Sequence, residues 1–531
     1  MLWTWRIQAI GDGRVACQPE APAARHAITR SLRWTLAAAA LAAGATACGP
    51  AHSLPPSISL AAVTRPPGAT TSVLAGPPDV VAASAAGRLF ASSPLVVVAN
   101  ADREADLARA AGRAERAHAP LLLLSPKLRR ATTTVSAGVA LRTEARALAA
   151  RAALDVGVGR DLLSAELPSV QVLTTAATLP ARGAPVPLSN VVMLVHRGDT
   201  NPGTTAAVAT ARAAGVQVIT VATFDPRADP SAISALSAAR PQHVIAVGAG
   251  FGPARLLAAR VAVATTGVQL PGGGEVLFPM HRLLALYGYP GTPALGALGE
   301  QGLSASIARI HRIAASYRAL SSVPVVPAFE IIATVAQASP GPDGTYSYES
   351  TVASLRPWVR RATHAGLYVV LDLQPGRASL LAQARRYRSL LTLPDVGLAL
   401  DPEWKLQPGQ LPLRQIGSVT ISEVNGVVRW LAGLTARYHL PQKLLVLHQF
   451  RLSMITDEQR LDTRYDDLAI VIHMDGQGTP EDKLQTWQAV IKNAPAGVFF
   501  GWKNFFAKDH PTLSPLQTMS NTPKPVMISY Q

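Results

Sequence analysis

Cysteine is nearly missing from this chain: Cys17 and Cys48 are the only two in 531 residues. That excludes a disulfide framework, a Cys-x-x-Cys redox pair and a cysteine-based zinc site. Charged residues are scarce at 15%, against 48% hydrophobic, so the chain can bury large cores and is not disordered as a whole. No segment is long and apolar enough to span a bilayer. No dense Lys/Arg run with interleaved aromatics occurs, which argues against a nucleic-acid groove. No His-x-x-x-His pair marks a metal site. Acidic residues are the minority charge, 33 against 49 Lys and Arg, which leaves a net charge of +16. Two readings of that excess stay open. One is attraction to anionic lipid or cell-wall polymer; the other is an Ala- and Arg-rich composition spread over solvated helix faces. The length predicts two or three domains.

The most specific signal lies between Ser31 and Cys48. Arg30 and Arg33 form a positive region, a short apolar stretch of small residues follows, and Ala45-Thr46-Ala47 leads into Cys48. This resembles a bacterial lipoprotein signal, with a lipobox-like end. The resemblance implies that residues 1–47 are a removed signal peptide and that Cys48 carries lipid. The mature chain would then be exported and held on the extracytoplasmic face of the membrane. A plain secretory signal cut near Ala47 is the alternative. Residues 48–92, with Pro55-Pro56, Pro66-Pro67 and Pro77-Pro78, read as an extended tether.

From residue 93 to 272 short apolar runs alternate with helical patterns, which predicts a Rossmann-like α/β domain with parallel strands covered on both faces. The strands are expected at Leu95–Asn100, Pro120–Ser125, Val170–Thr174, Asn190–His196, Val216–Val221 and His243–Val247, and a helix over Leu141–Leu154. The two halves read as a weak internal duplication. The stretches His118–Ser125 and Pro241–Ala254 resemble the type-2 cell-wall-binding repeats of Gram-positive surface proteins. Ala101-Asp102-Arg103 replaces that family's Phe-Pro-Asp element. Gly248-Ala-Gly250-Phe-Gly252 falls short of a dinucleotide fingerprint, because Pro253 stands at the third glycine. Asp199 to Thr205 reads as a helix cap and turn rather than an anion cup.

From 273 to 531 the chain carries eight apolar runs: Leu283–Tyr289, Val325–Ile332, Leu367–Leu373, Val396–Leu400, Leu444–Gln449, Leu468–Met474, Gly497–Trp502 and Pro525–Tyr530. Helical patterns separate most of them. Eight strands in about 250 residues predict a (β/α)8 TIM barrel, whose chemistry sits at the strand C-terminal ends. The stretch Val396–Trp404 shows the pattern best: a buried run that ends in Asp401 and Glu403.

The other strand ends carry Tyr287 and Tyr289, Glu330, Asp372 and Gln374, Trp404, His448, His473 and Asp475, and Trp502 and Lys503. These are the expected substrate-binding residues. Carboxylates and aromatics together suit a sugar: rings stack on aromatic faces, and carboxylates bind hydroxyls and move protons. Asp401-Pro-Glu403 resembles the end of the Asp-x-Asp-x-Glu signature of family 18 chitinase-like glycosidases, and the Asp-x-Glu of family 25 muramidases. The resemblance implies that Glu403 is the general acid and Asp401 its partner. Ala399 replaces the family's middle Asp. His473-Met-Asp475 is faintly similar to the chitinase-like sixth strand, which implies a substrate contact for Asp475.

The leading expectation is a lipid-anchored hydrolase of a cell-envelope glycan that needs neither cofactor nor metal, with the glycan and the membrane as its partners. The Ala and Arg content is consistent with an actinobacterium. The alternative is a glycan-binding scaffold with a degenerate barrel, in which Asp401 and Glu403 tether a loop through Lys405 or Arg414.

Overall fold

The computed structural model describes residues 61–127, 138–174 and 183–531. The expected signal segment, Cys48 and the start of the expected tether lie outside them. The first sheet contains β2 (Leu95–Asn100), β3 (Leu121–Leu124), β4 (Ala152–Val156) and β5 (Gln171–Leu173), while β1 (Thr71–Leu74) precedes them in the chain. Its order is β3-β2-β4-β5, all parallel. A second parallel sheet takes β6 (Val191–His196), β7 (Gln217–Val221) and β8 (His243–Val247), and is completed by β1 in the order β7-β6-β8-β1. Every residue of β2 and β3 is buried, as expected of strands covered on both faces. The two sheets share one strand order, except that the second borrows its outer strand from the start of the chain.

That borrowed strand corrects the tether. Only residues before Ala61 remain candidates for it. Pro77-Pro78 does not extend the chain but opens a helix over Pro78–Leu89, where proline's missing N–H costs nothing. That helix buries Val81, Ala82, Ala83, Ala85 and Ala86. A second correction concerns Leu141–Leu154. The helix there ends at Ala147, and Ala152–Val156 pairs with β2 instead. Alanine's helix preference is weak beside a full ladder of buried backbone bonds.

The C-terminal region is a closed barrel of eight parallel strands. These are β9 (Arg282–Gly288), β10 (Val325–Ala336), β11 (Tyr368–Leu373), β12 (Val396–Leu400), β13 (Lys443–Gln449), β14 (Leu468–Met474), β15 (Phe499–Asn504) and β16 (Met527–Tyr530). Closure comes from β9, which pairs with β10 on one side and β16 on the other. Helices Leu303–Ala315, Val352–His364, Leu380–Arg386, Ile421–Arg437 and Pro480–Asn493 pack outside. Between β13 and β14, where the sequence shows no helical pattern, the connection is two 3-10 turns and a short strand, Ile455–Thr456, which pairs with Val419–Thr420.

Period-two alternation sorts each strand. Leu286, Ile331, Leu371, Leu398 and Leu447 face the helices. Leu283 and Ala285, Val326 and Ala328, Tyr368 and Val370, Leu444 and Val446, and Ala469 and Val471 fill the interior. The barrel's other end, before the strands, meets the 3-10 turn after β7 (Pro226–Ala228) and the helix after β8 (Ala254–Ala264). Asp466, two residues ahead of β14, accepts from Arg227 Nη2 at 2.5 Å and Arg260 Nη2 at 2.7 Å. Glu275 bridges the same junction through its backbone, donating to Arg227 O at 2.7 Å and accepting from Gln442 N at 2.8 Å.

Candidate functional site

Two residues beyond the last apolar interior residue, each strand places one polar side chain. They are Tyr287 after Ala285, Glu330 after Ala328, Asp372 after Val370, Asp401 after Ala399, His448 after Val446, His473 after Val471, Lys503 after Gly501 and Ser529 after Met527. All eight are buried. The alternation that fills the interior with aliphatics thus ends in a polar ring at the strand C-terminal ends. Gly501 makes room for it. A Cβ there would meet His473 Cδ2 at 2.7 Å.

His448 organises one side. Its Nε2 lies 2.8 Å from Glu330 Oε1, and its Nδ1 lies 3.2 Å from Asp475 Oδ2. Burial opposes a charge on this ring, but the two carboxylates outweigh it and hold the imidazole well above its usual pKa. Asp475 is held low in turn: burial works against it, while the His448 contact and the nearby positive charges prevail. His473 is the opposite case. Burial, with His448 and Lys503 nearby, keeps its ring neutral, and its Nε2 sits 3.2 Å from Ser529 Oγ.

Asp372 organises the other side through a relay. Ala336 N donates to Gln374 Oε1 at 3.0 Å, and Gln374 Nε2 donates to Tyr287 Oη at 3.2 Å. Tyr287 Oη donates to Asp372 Oδ2 at 2.9 Å. Burial raises Asp372 to about 6, with Glu330 adding to the rise and His448 and Lys503 opposing it. The Lys503 ammonium rests 3.6 Å over the Tyr287 ring, a cation–π contact.

Asp401 ends β12, and Pro402–Trp404 forms a 3-10 turn immediately after it. Asp401 is buried, whereas Glu403 and Trp404 on the turn are partly exposed. Burial pushes Asp401 well above the usual carboxylate range, and Glu403, Asp372 and Asp475 push it further. Glu403 is raised to about 7 by burial and by Asp475, against the pull of Lys503, His448 and Lys508. Lys405 does not tether these acids: its Nζ donates to Ala378 O at 2.7 Å and pairs with Glu423 at 3.3 Å.

Two expected binding residues stand apart. Trp502 alternates with Lys503 and so faces outward, where it packs on Trp487 and donates Nε1 to Asn504 Oδ1 at 2.9 Å. Period two leaves no other direction for a residue between two inward positions. Tyr289 lies past the end of β9, and its Oη contacts Ser350 Oγ at 3.5 Å. Lys508, four residues after β15, was not visible in the strand pattern. Burial and Lys503 lower it to about 8, and Glu403 opposes the shift. The only sequence signal for it is a lysine within the loop that follows a site strand.

Among the described residues no group of three or more His, Cys, Asp or Glu is arranged to hold a metal ion. Asp199 closes its own turn, accepting from Asn201 N at 2.9 Å and Thr204 Oγ1 at 2.7 Å, and Asn201 caps the helix that follows. No protein-family model matches the chain, and no curated protein matches it.

Proposed function

We propose that the barrel hydrolyses a glycosidic bond in a cell-envelope glycan. One observation carries this reading. Glu403, a partly exposed carboxyl at the mouth of the polar ring, is raised to about 7, so it holds a proton near neutrality. A leaving oxygen needs such an acid. Glu403 would protonate that oxygen. Asp401, two residues away, would position the substrate and share the proton. Asp372 has one oxygen fixed by Tyr287 and one free, which suits the ionised second carboxyl. Trp404 beside Glu403 would face the sugar.

The rest of the reading concerns location. Residues 1–47 would be a lipoprotein signal, Cys48 the lipidated residue, and the two parallel sheets a Rossmann-like part that sits on the cell wall. Their shared strand order supports a duplication of the cell-wall-binding kind. A second reading, a glycan-binding scaffold without turnover, is favoured by the burial of Glu330, Asp372, His448 and His473.

The deciding experiment measures reducing ends released from purified envelope glycans by the chain and by Glu403→Gln. Release by the parent and not by the variant establishes the glycosidase. If neither releases ends while both bind the glycan, the scaffold reading holds. Incorporation of labelled palmitate, lost in Cys48→Ala, tests the anchor.

A further inference from the structure

The ring is unbalanced in two ways. The first imbalance is in hydrogen bonding. Glu330 Oε2, Asp372 Oδ1, Asp401 Oδ1 and Asp475 Oδ1 are buried acceptors without a partner in the protein. Three ring nitrogens are similarly open: Trp404 Nε1, His448 Nδ1, whose 3.2 Å contact with Asp475 Oδ2 is an ion pair rather than a hydrogen bond, and His473 Nδ1, on a neutral ring. The second imbalance is in charge. Five carboxyl groups (Glu330, Asp372, Asp401, Glu403 and Asp475) face three cationic groups (His448, Lys503 and Lys508). His448 is committed to Glu330 and Asp475, and Lys503 lies against the Tyr287 ring face. Neither imbalance follows from the other: a neutral polyol satisfies the first and leaves the second.

One chemical group answers both. A primary ammonium brings three N–H donors and a positive charge to a place with free acceptors and excess acid. A neutral N-acetyl group brings one donor, one acceptor and no charge. Resting on the glycan reading above, we propose that this ring takes a hexosamine whose amino group is free rather than acetylated, with the ammonium seated between Asp372 and Asp401. Without such a ligand the ring relieves its own repulsion by keeping protons on its acids. The ammonium replaces one of those protons, which leaves to solvent as the carboxyl ionises. Binding is then coupled to the release of protons, and a neutral sugar shows no such coupling.

The test is calorimetry at pH 5.5, where the glucosamine amine is fully an ammonium and the raised ring acids keep their protons, with the glucosamine tetramer and the N-acetylglucosamine tetramer, each in two buffers of different ionisation enthalpy. The glucosamine tetramer is expected to bind at least about tenfold tighter, equivalent to about 1.4 kcal/mol, and to release about one proton. The acetylated tetramer releases none. Asp401→Asn, which removes one acid without changing shape, should abolish most of the preference and the proton release; Asp372→Asn serves if that variant does not fold. Equal or tighter binding of the acetylated tetramer overturns the inference, as does binding of both without proton release. Failure of both tetramers to bind also overturns it. Reducing-end release from other envelope glycans, lost in Glu403→Gln, would leave the glycosidase reading standing in either case.

Discussion

Glu403 and Asp372 differ in surroundings more than in chemistry, and that difference sets their expected roles. Glu403 rises to about 7 and Asp372 to about 6. An acid that must be protonated and a partner that must be ionised give a bell-shaped rate, with limbs near those values that belong to the coupled pair. Glu403→Gln should lower turnover roughly 10²- to 10⁴-fold with little change in glycan affinity. Reducing-end assays across pH 5 to 9 check both statements. His448 has a structural share as well. His448→Leu leaves Glu330 and Asp475 buried without their cation and should cost about 3–5 kcal/mol in urea unfolding. The sign with pH follows from the shifts. His448 is raised, so its contribution is complete below the ordinary 6.5 and fades only as pH rises through the higher folded value. Asp475 is lowered, so its contribution is present above 3.8 and fades as pH falls through the lower folded value.

At the scale of the strand, most barrel elements repeat one design. Two apolar interior positions support a polar third, and the steps between them are two residues long. Gly501 departs from this design because β15 must leave space for the His473 ring. Gly501→Ala places a methyl group where His473 Cδ2 stands 2.7 Å away. The ring must shift from Ser529, and we expect a loss of about 1–3 kcal/mol in thermal unfolding. The same design makes Trp502 a core residue. Its partners Trp487 and Met474 place it between barrel and helix, so Trp502→Ala should cost stability, about 3–5 kcal/mol, and leave glycan specificity unchanged.

Over the whole molecule, the junction between the α/β region and the barrel holds an acid with no hydrogen-bond partner for its carboxyl group. Glu275 is fully buried, neither of its carboxyl oxygens has a partner, and burial raises it to about 8 with Asp225 adding to the rise and Arg227 opposing it. A raised carboxyl favours folding while it is protonated. The gain is full below 4.5 and is lost as pH rises through 8. Urea unfolding should therefore show lower stability at pH 8.5 than at pH 5, with Glu275 contributing at most about 4–5 kcal/mol. Glu275→Gln should remove its share of that slope and leave the part that comes from Glu403, Asp372 and Asp401. The borrowed strand makes a separate prediction. A chain beginning at residue 93 lacks Thr71–Leu74 and exposes the edge of β8. It should aggregate or unfold well below the temperature of a chain beginning at residue 61.

Sequence by itself determined the barrel. Eight apolar runs of strand length with helical spacers between them admit few packings, and Val396–Leu400 and Leu468–Met474 were legible to the residue because a turn or a charge bounds each run. The polar strand ends were legible too, since a buried strand has no packing reason to finish on Asp401, His448 or Lys503. Tertiary structure alone decided which of those ends converge. A strand's neighbours in the chain point opposite ways, so Lys503 entered the ring and Trp502 left it. The pairing of His448 with both Glu330 and Asp475 joins three strands that are 118 and 27 residues apart in the chain, a relation no local pattern encodes. The same holds for β1. Its Pro-rich surroundings read locally as a tether, and only the open edge of β8, more than 160 residues later, makes Thr71–Leu74 a strand.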